Sequence, residues 1–141
     1  PSHDKDVYGW AVHTAQLLRE KKMNEVDFDG IIEELEEMGI SNKHALTSRL
    51  ALVITHLLKW QYQPSMRGHS WKYTIEEQRD EARNYLEENP SLKSKLVDIM
   101  IKSYRSAMIK AAKETSLDKK TFPAECPYTF DQIMNDEFYP E

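Results

Sequence analysis

The stretch "RLALVITHLLKWQYQP", Arg49–Pro64, decides the fold class. At 100° per residue, Leu46, Leu50, Val53, Ile54 and Leu57 fall in one sector, and Ala51, Leu52 and Leu58 widen it until only a narrow strip is polar. A helix apolar on most sides is surrounded by other helices. Pro64 stops it, because proline lacks the N–H and disfavours a helical residue before it. The spacing therefore predicts a helix over about 42–63, with Ser41 as its cap, at the centre of an all-α bundle.

Shorter stripes lie on either side. Val7, Trp10, Thr14, Leu17, Leu18 and Lys21 share a face over about 4–22. Phe28, Ile31, Ile32, Leu35 and Met38 do so over about 28–38, where Asp27 suits the cap and Gly39 the left-handed residue after the end. A helix from 71 or 75 to 88 carries Ile75, Ala82 and Leu86, with Thr74 and Glu77 at capping-box spacing. Asn89 and Pro90 open another over about 90–115, whose face includes the small residues Ser103, Ala107 and Ala111. In the tail, Thr129 and Gln132 form a second capping box, and Phe122, Tyr128, Phe130, Ile133, Phe138 and Tyr139 give too much apolar area for a free terminus. The expectation is an all-α, single-domain helical bundle over 1–141. It has about five main helices, and a C-terminal tail with a short helix folds back on it.

The bulk numbers agree. A chain of 141 residues buries a sizeable core without staples, and only 4 glycines and 6 prolines interrupt it. Cys126 is the only cysteine, so no internal disulfide forms, and a reducing cytoplasmic setting is expected. No apolar run approaches the ~18 residues that span a bilayer, and "PSHDKDVYGW" lacks a signal-peptide pattern. Net charge is −5, unevenly spread. Residues 1–37 hold 10 acids and 4 Lys/Arg, whereas residues 38–75 hold no acid and 5 basic residues: Lys43, Arg49, Lys59, Arg67 and Lys72. Charge asymmetry along a chain often cancels in the fold, so this basic segment is expected to pair with the acid-rich helix before it.

The phrases "IIEELEEMG", "RLALVITHLLKWQYQP", "SWKYTIEEQR", "NPSL" and "FPAECPYTFDQI" follow one another in an order and at separations that resemble the bacterial family known as domain of unknown function 29. The resemblance runs from Tyr8 to Pro140. "SNK" at Ser41–Lys43 departs from the family's usual Ser-Glu-Arg, at a surface-like position. The resemblance implies an all-helical bundle and no particular activity, cofactor or partner.

Motifs for chemistry are scarce. No phosphate-binding G-x-x-x-x-G-K loop, H-E-x-x-H or zinc-spaced Cys/His pair occurs, so neither a cofactor nor a metal is expected. Arg49 and His56, in "RLALVITH", resemble the Arg-x(4–6)-His signature of the HEPN ribonucleases. That likeness implies acid/base work for His56 and phosphate binding for Arg49. Seven residues bring the two near one helix face but ~10.5 Å apart along the axis. Arg79 sits inside the apolar stripe of its helix, where a guanidinium must be paired; it is expected to be mostly buried and bonded to an acid, with Glu34 and Glu36 as candidates, or to backbone carbonyls. His56, Lys59, Trp60, Gln61, Arg67, His69, Trp71 and Arg79 form the candidate binding set around the end of the central helix. Cations beside aromatics there either bind phosphate or bases, or lock the following loop to the bundle, and the lock is favoured. The leading expectation is a small binding module for a protein partner or a second copy of itself. Nucleic acid is the less favoured partner, because an acidic chain lacks the basic footprint that counterion release needs.

Overall fold

A computed structural model describes all 141 residues, Pro1–Glu141. The chain is all-α: α1 Val7–Arg19, α2 Phe28–Tyr62, α3 His69–Glu88, α4 Leu96–Thr115 and the short α5 Phe130–Met134. Short 3-10 turns link them, there is no strand, and no helix is long and apolar enough to cross a membrane.

The stretches 28–38 and 42–63, expected as two helices, form one 35-residue helix, α2. Gly39 lies inside it, no glycine has positive φ, and Ser41 caps nothing. The physical reason is one of magnitude. A glycine inside a helix costs only ~1 kcal/mol relative to alanine, and propagation across it continues unless a proline follows. Asp27 does cap α2, its Oδ1 accepting from the Gly30 N–H at 3.0 Å.

The chain divides into two compact units, Pro1–Ser41 and Asn42–Glu141. In the first, Asp6 caps α1 by accepting from the Gly9 N–H at 2.9 Å. Lys21, at φ 60°, turns the chain after α1 in a left-handed conformation that a side chain adopts at some cost. Trp10, Thr14 and Leu17 are the buried side chains of α1. Trp10 lies so close to α2 that a Cβ added to Gly30 would sit 2.7 Å from its ring. Val7 and Leu18, expected on the same buried face, are exposed.

The second unit holds the main core: Leu46, Leu50, Val53, Ile54, Leu57 and Leu58 of α2, with Ile75, Ile99 and Ile133, are fully buried. Ser103, Ala107 and Ala111 of α4 are buried too, and Ser103 donates to the Thr47 carbonyl at 2.9 Å, so their small size permits the close approach of α2. Two expected helix starts shift. Helix α3 begins at His69, and Thr74 lies within it, donating to the Ser70 carbonyl. Pro90 opens a 3-10 turn, Pro90–Lys95, and α4 follows from Leu96. The Thr129–Gln132 capping box forms as expected. Phe122, Tyr128, Ile133 and Pro140 of the tail are buried.

Candidate functional site

At the C-terminal end of α2 the expected set of cations and aromatics does assemble, and the tail occupies it. Trp60 is buried, with its ring 5.0 Å from that of Tyr139. Arg67 lies over Trp60 at 5.2 Å, and Lys72 lies over both Trp60 and Tyr139, at 5.8 and 5.6 Å. Such contacts contribute ~0.5–2 kcal/mol each, more where water is excluded. Arg67 Nε also donates to the Trp60 carbonyl at 2.7 Å and Nη2 to the Glu141 carbonyl at 3.1 Å. Gln61 accepts from the Tyr128 hydroxyl at 2.6 Å. Lys59 pairs with Glu114 at 3.2 Å and sits over Trp71 at 5.1 Å. His69 stands apart, exposed, its ring 6.4 Å from Tyr73.

Arg79 is the deepest member, with no exposed surface. Its partners are backbone carbonyls, one of the two kinds of acceptor expected from the sequence, rather than Glu34 or Glu36. Nε donates to Ile133 O at 2.6 Å, and Nη2 to Phe138 O at 2.8 Å and Gln132 O at 3.3 Å. The last carbonyls of a helix lack intrahelical partners and carry partial negative charge, so the end of α5 offers a cation what a carboxylate would. Tyr139 stacks on the guanidinium at 5.5 Å, and Nη1 is buried without a hydrogen bond. Burial lowers the Arg79 pKa, with Tyr139 and Asp136 opposing. One turn on, Arg83 Nη2 donates to Met134 O at 2.9 Å and to Asp136 at 3.1 Å. Together Arg67, Arg79 and Arg83 hold the tail by its backbone.

Arg49 and His56 share no partner. Arg49 pairs with Glu81 at 3.1 Å and lies over Tyr85 at 4.9 Å. His56 is half-buried, its Nδ1 2.9 Å from the carbonyl of Leu52 in its own helix. The basic segment pairs with α3 and α4 rather than with the acidic run before it: Lys43 meets Asp98 at 2.7 Å, Arg49 meets Glu81, and Lys59 meets Glu114.

Residues 1–41 present a different surface. Phe28, Ile32, Leu35 and Met38, expected to face a core, are 51%, 52%, 60% and 60% exposed. Gly30 and Glu34, which meet Trp10 and His3, lie about 200° and 240° round α2 from Phe28. So α1 and the N-terminal residues cover the side away from the apolar stripe. Ten of the 15 exposed large hydrophobic side chains of the chain lie in these 41 residues, including Val7, Tyr8, Val12 and Ile40. Sequence reasoning placed this stripe correctly on a helix but missed that it is bare. The signal available was the crowding of acids beside it, which few buried faces tolerate.

Here His3 Nε2 lies 2.7 Å from Glu34 Oε1, and Nδ1 3.7 Å from Glu33. The hydrogen bond to Glu34 raises the His3 pKa above its ordinary 6.5. A cavity of about 490 Å³ is lined by His3, Trp10, Thr14, Asp27, Gly30 and Glu33. No group of His, Cys, Asp or Glu is arranged to hold a metal ion. An apolar hollow of about 540 Å³ lies over Met100, Ile101, Tyr104 and Met108, edged by Cys126, whose thiol pKa is raised by burial. A raised pKa leaves little thiolate, which is the form that reacts.

A family model described as Domain of unknown function DUF29 matches residues 3–139, so the chain belongs to that family. No curated protein and no solved structure matches it.

Proposed function

We propose that this family member is a small helical binding module, and that it docks a protein partner on the apolar surface of residues 1–41. The observation that carries the reading is the bare stripe Phe28, Ile32 and Leu35 in a unit that concentrates the exposed large hydrophobics of the chain. The largest apolar patch on a typical monomer is ~300–600 Å², and extended ones are commonly interaction sites. Scattered exposed leucines need no explanation, but a helical stripe uncovered at every turn does. The N-terminal unit also buries few side chains of its own, so covering the stripe adds the burial it lacks.

The nucleic-acid reading, with or without cleavage through Arg49 and His56, has less support. Three of the five basic residues of 38–75 face acids, Arg67 is bonded to carbonyls, and the Trp60 face that a base would stack on is buried beneath cations and Tyr139. A bacterial cytoplasmic setting belongs to the same proposal, supported by the family resemblance and the single free Cys126.

The test is a pull-down with the tagged full chain and an Ile32→Gln/Leu35→Gln variant, each with and without nuclease. Polar replacements at exposed positions leave folding intact. The reading expects a protein retained by wild type regardless of nuclease and lost from the variant. Equal retention by the variant, or material that disappears on nuclease treatment, overturns it.

A further inference from the structure

We infer that the partner is a basic amphipathic helix, its apolar side on Phe28, Ile32 and Leu35 and its lysines or arginines against the acids beside them. This rests on the docking reading above and adds the charge and shape of the occupant.

Charge is the first reason. Residues 1–41 hold 10 acids and 4 Lys/Arg, a net charge of −6, whereas residues 42–141 hold 14 acids and 15 Lys/Arg, a net charge of +1. The acidity is concentrated further on the stripe's own helix. Asp27, Asp29, Glu33, Glu34, Glu36 and Glu37 fall within residues 27–42, which contain no lysine or arginine. His3 takes up only Glu33 and Glu34. Glu36 and Asp29 lie about 80° and 100° from Phe28 round the helix, which makes them the flank of the stripe. Both are exposed. An apolar ridge with a row of unpaired carboxylates beside it is complementary to a helix whose apolar face is edged by cations.

The same charge weighs against the other occupants. A second copy docked stripe to stripe brings two units of net charge −6 together, and like charges across an interface are unfavourable. Lys93, Lys95, Arg105, Lys110, Lys113, Lys119 and Lys120 of residues 42–141 are exposed and in no ion pair, so a head-to-tail contact with a second copy is the rival occupant that the sedimentation arm below tests. An anionic membrane surface repels the unit.

The shape also fits. Phe28, Ile32 and Leu35 follow one another at four and three residues, the spacing read by a partner helix that presents its own anchors at i, i+3, i+4 and i+7. A flat stripe on a single helix matches a rod better than a loop.

The experiment measures binding of the full chain to three labelled synthetic helices of about 20 residues that share one leucine face and carry Lys, Gln or Glu on the polar face. Fluorescence anisotropy is read at low and high salt. The Lys helix is expected to bind at least about tenfold more tightly than the Gln helix at low salt and to lose that margin at high salt, with the Glu helix weakest. Ile32→Gln/Leu35→Gln should weaken the Lys and Gln helices alike, by about tenfold or more. Asp29→Asn/Glu36→Gln should weaken the Lys helix about three- to tenfold and leave the Gln helix unchanged. Equal binding of the Lys and Gln helices, lost in the stripe variant, overturns the basic partner while the docking surface stands. Binding of the Lys helix that ignores the stripe variant, or no binding of any helix, overturns both. Dimerisation of wild type abolished by Ile32→Gln/Leu35→Gln in sedimentation assigns the stripe to a second copy and overturns the inference alone.

Discussion

Helix α2 contains two apolar stretches that look alike in sequence and end differently. Leu46, Leu50, Val53 and Leu57 are fully buried, while Phe28, Ile32, Leu35 and Met38 are all more than half exposed. Both have helical spacing, and both use large aliphatic or aromatic side chains. Their neighbours differ. The first stretch is flanked by Arg49 and Lys59, which find Glu81 and Glu114 on other helices. The second is flanked by carboxylates, and only Glu33 and Glu34 have a cation-capable neighbour, His3. Apolar periodicity states which face of a helix wants cover. The charges beside it state whether the rest of the chain can supply that cover.

The largest expected effect lies in the covered region. Arg79→Ala removes the donor that three tail carbonyls share and leaves those of Ile133 and Phe138 without it, while Gln132 O keeps the Asn135 N–H. It should cost about 3–5 kcal/mol in denaturant unfolding, as breaking a buried charged contact does. Arg79→Lys should recover little, since an ammonium lacks the planar fork that reaches carbonyls on different sides. A melt unchanged by Arg79→Ala would show that the tail does not depend on this side chain.

The two glycines of α2 sharpen the comparison at smaller scale. Gly30→Ala puts a Cβ 2.7 Å from the Trp10 ring and from Asp27 Oδ2, and should cost about 1–3 kcal/mol by overpacking. Gly39→Ala meets nothing within 4 Å and should stabilise by about 0.5–1 kcal/mol, because alanine is the better helix former. Thermal melts of the two variants check both signs. A loss of stability in Gly39→Ala would return the left-handed helix end expected at that position and break α2 in two.

These positions also show how far the sequence could be read. The helical class, the central burial of 46–58, the Thr129–Gln132 box and the folded-back tail were legible because each rests on local spacing or on sheer apolar area. The fusion at Gly39 was not, since one glycine's cost is too small to decide between a stop and a continuation. Arg79 was legible as buried and bonded to an acid or to backbone carbonyls, but the choice between them was not, because Glu34 and the carbonyl of Ile133 are equally good acceptors until the chain is folded. The clustering of Trp60, Gln61 and Arg67 was legible too. Their other half, Tyr139 and the Glu141 carbonyl, lies some 80 residues away along the chain, beyond any local pattern.

The central claim is that the stripe of residues 28–38 is a surface that contributes nothing to the stability of the isolated chain. Equilibrium unfolding of Leu35→Ala and Leu50→Ala, measured side by side in denaturant, tests it most directly. Leu50→Ala should lose about 2–5 kcal/mol, as a buried leucine does. Leu35→Ala should stay within about 0.5 kcal/mol of wild type, as an exposed one does. A loss of about 2 kcal/mol or more in Leu35→Ala would mean that the stripe is core in the free protein, and the account of residues 1–41 as a docking surface would be wrong.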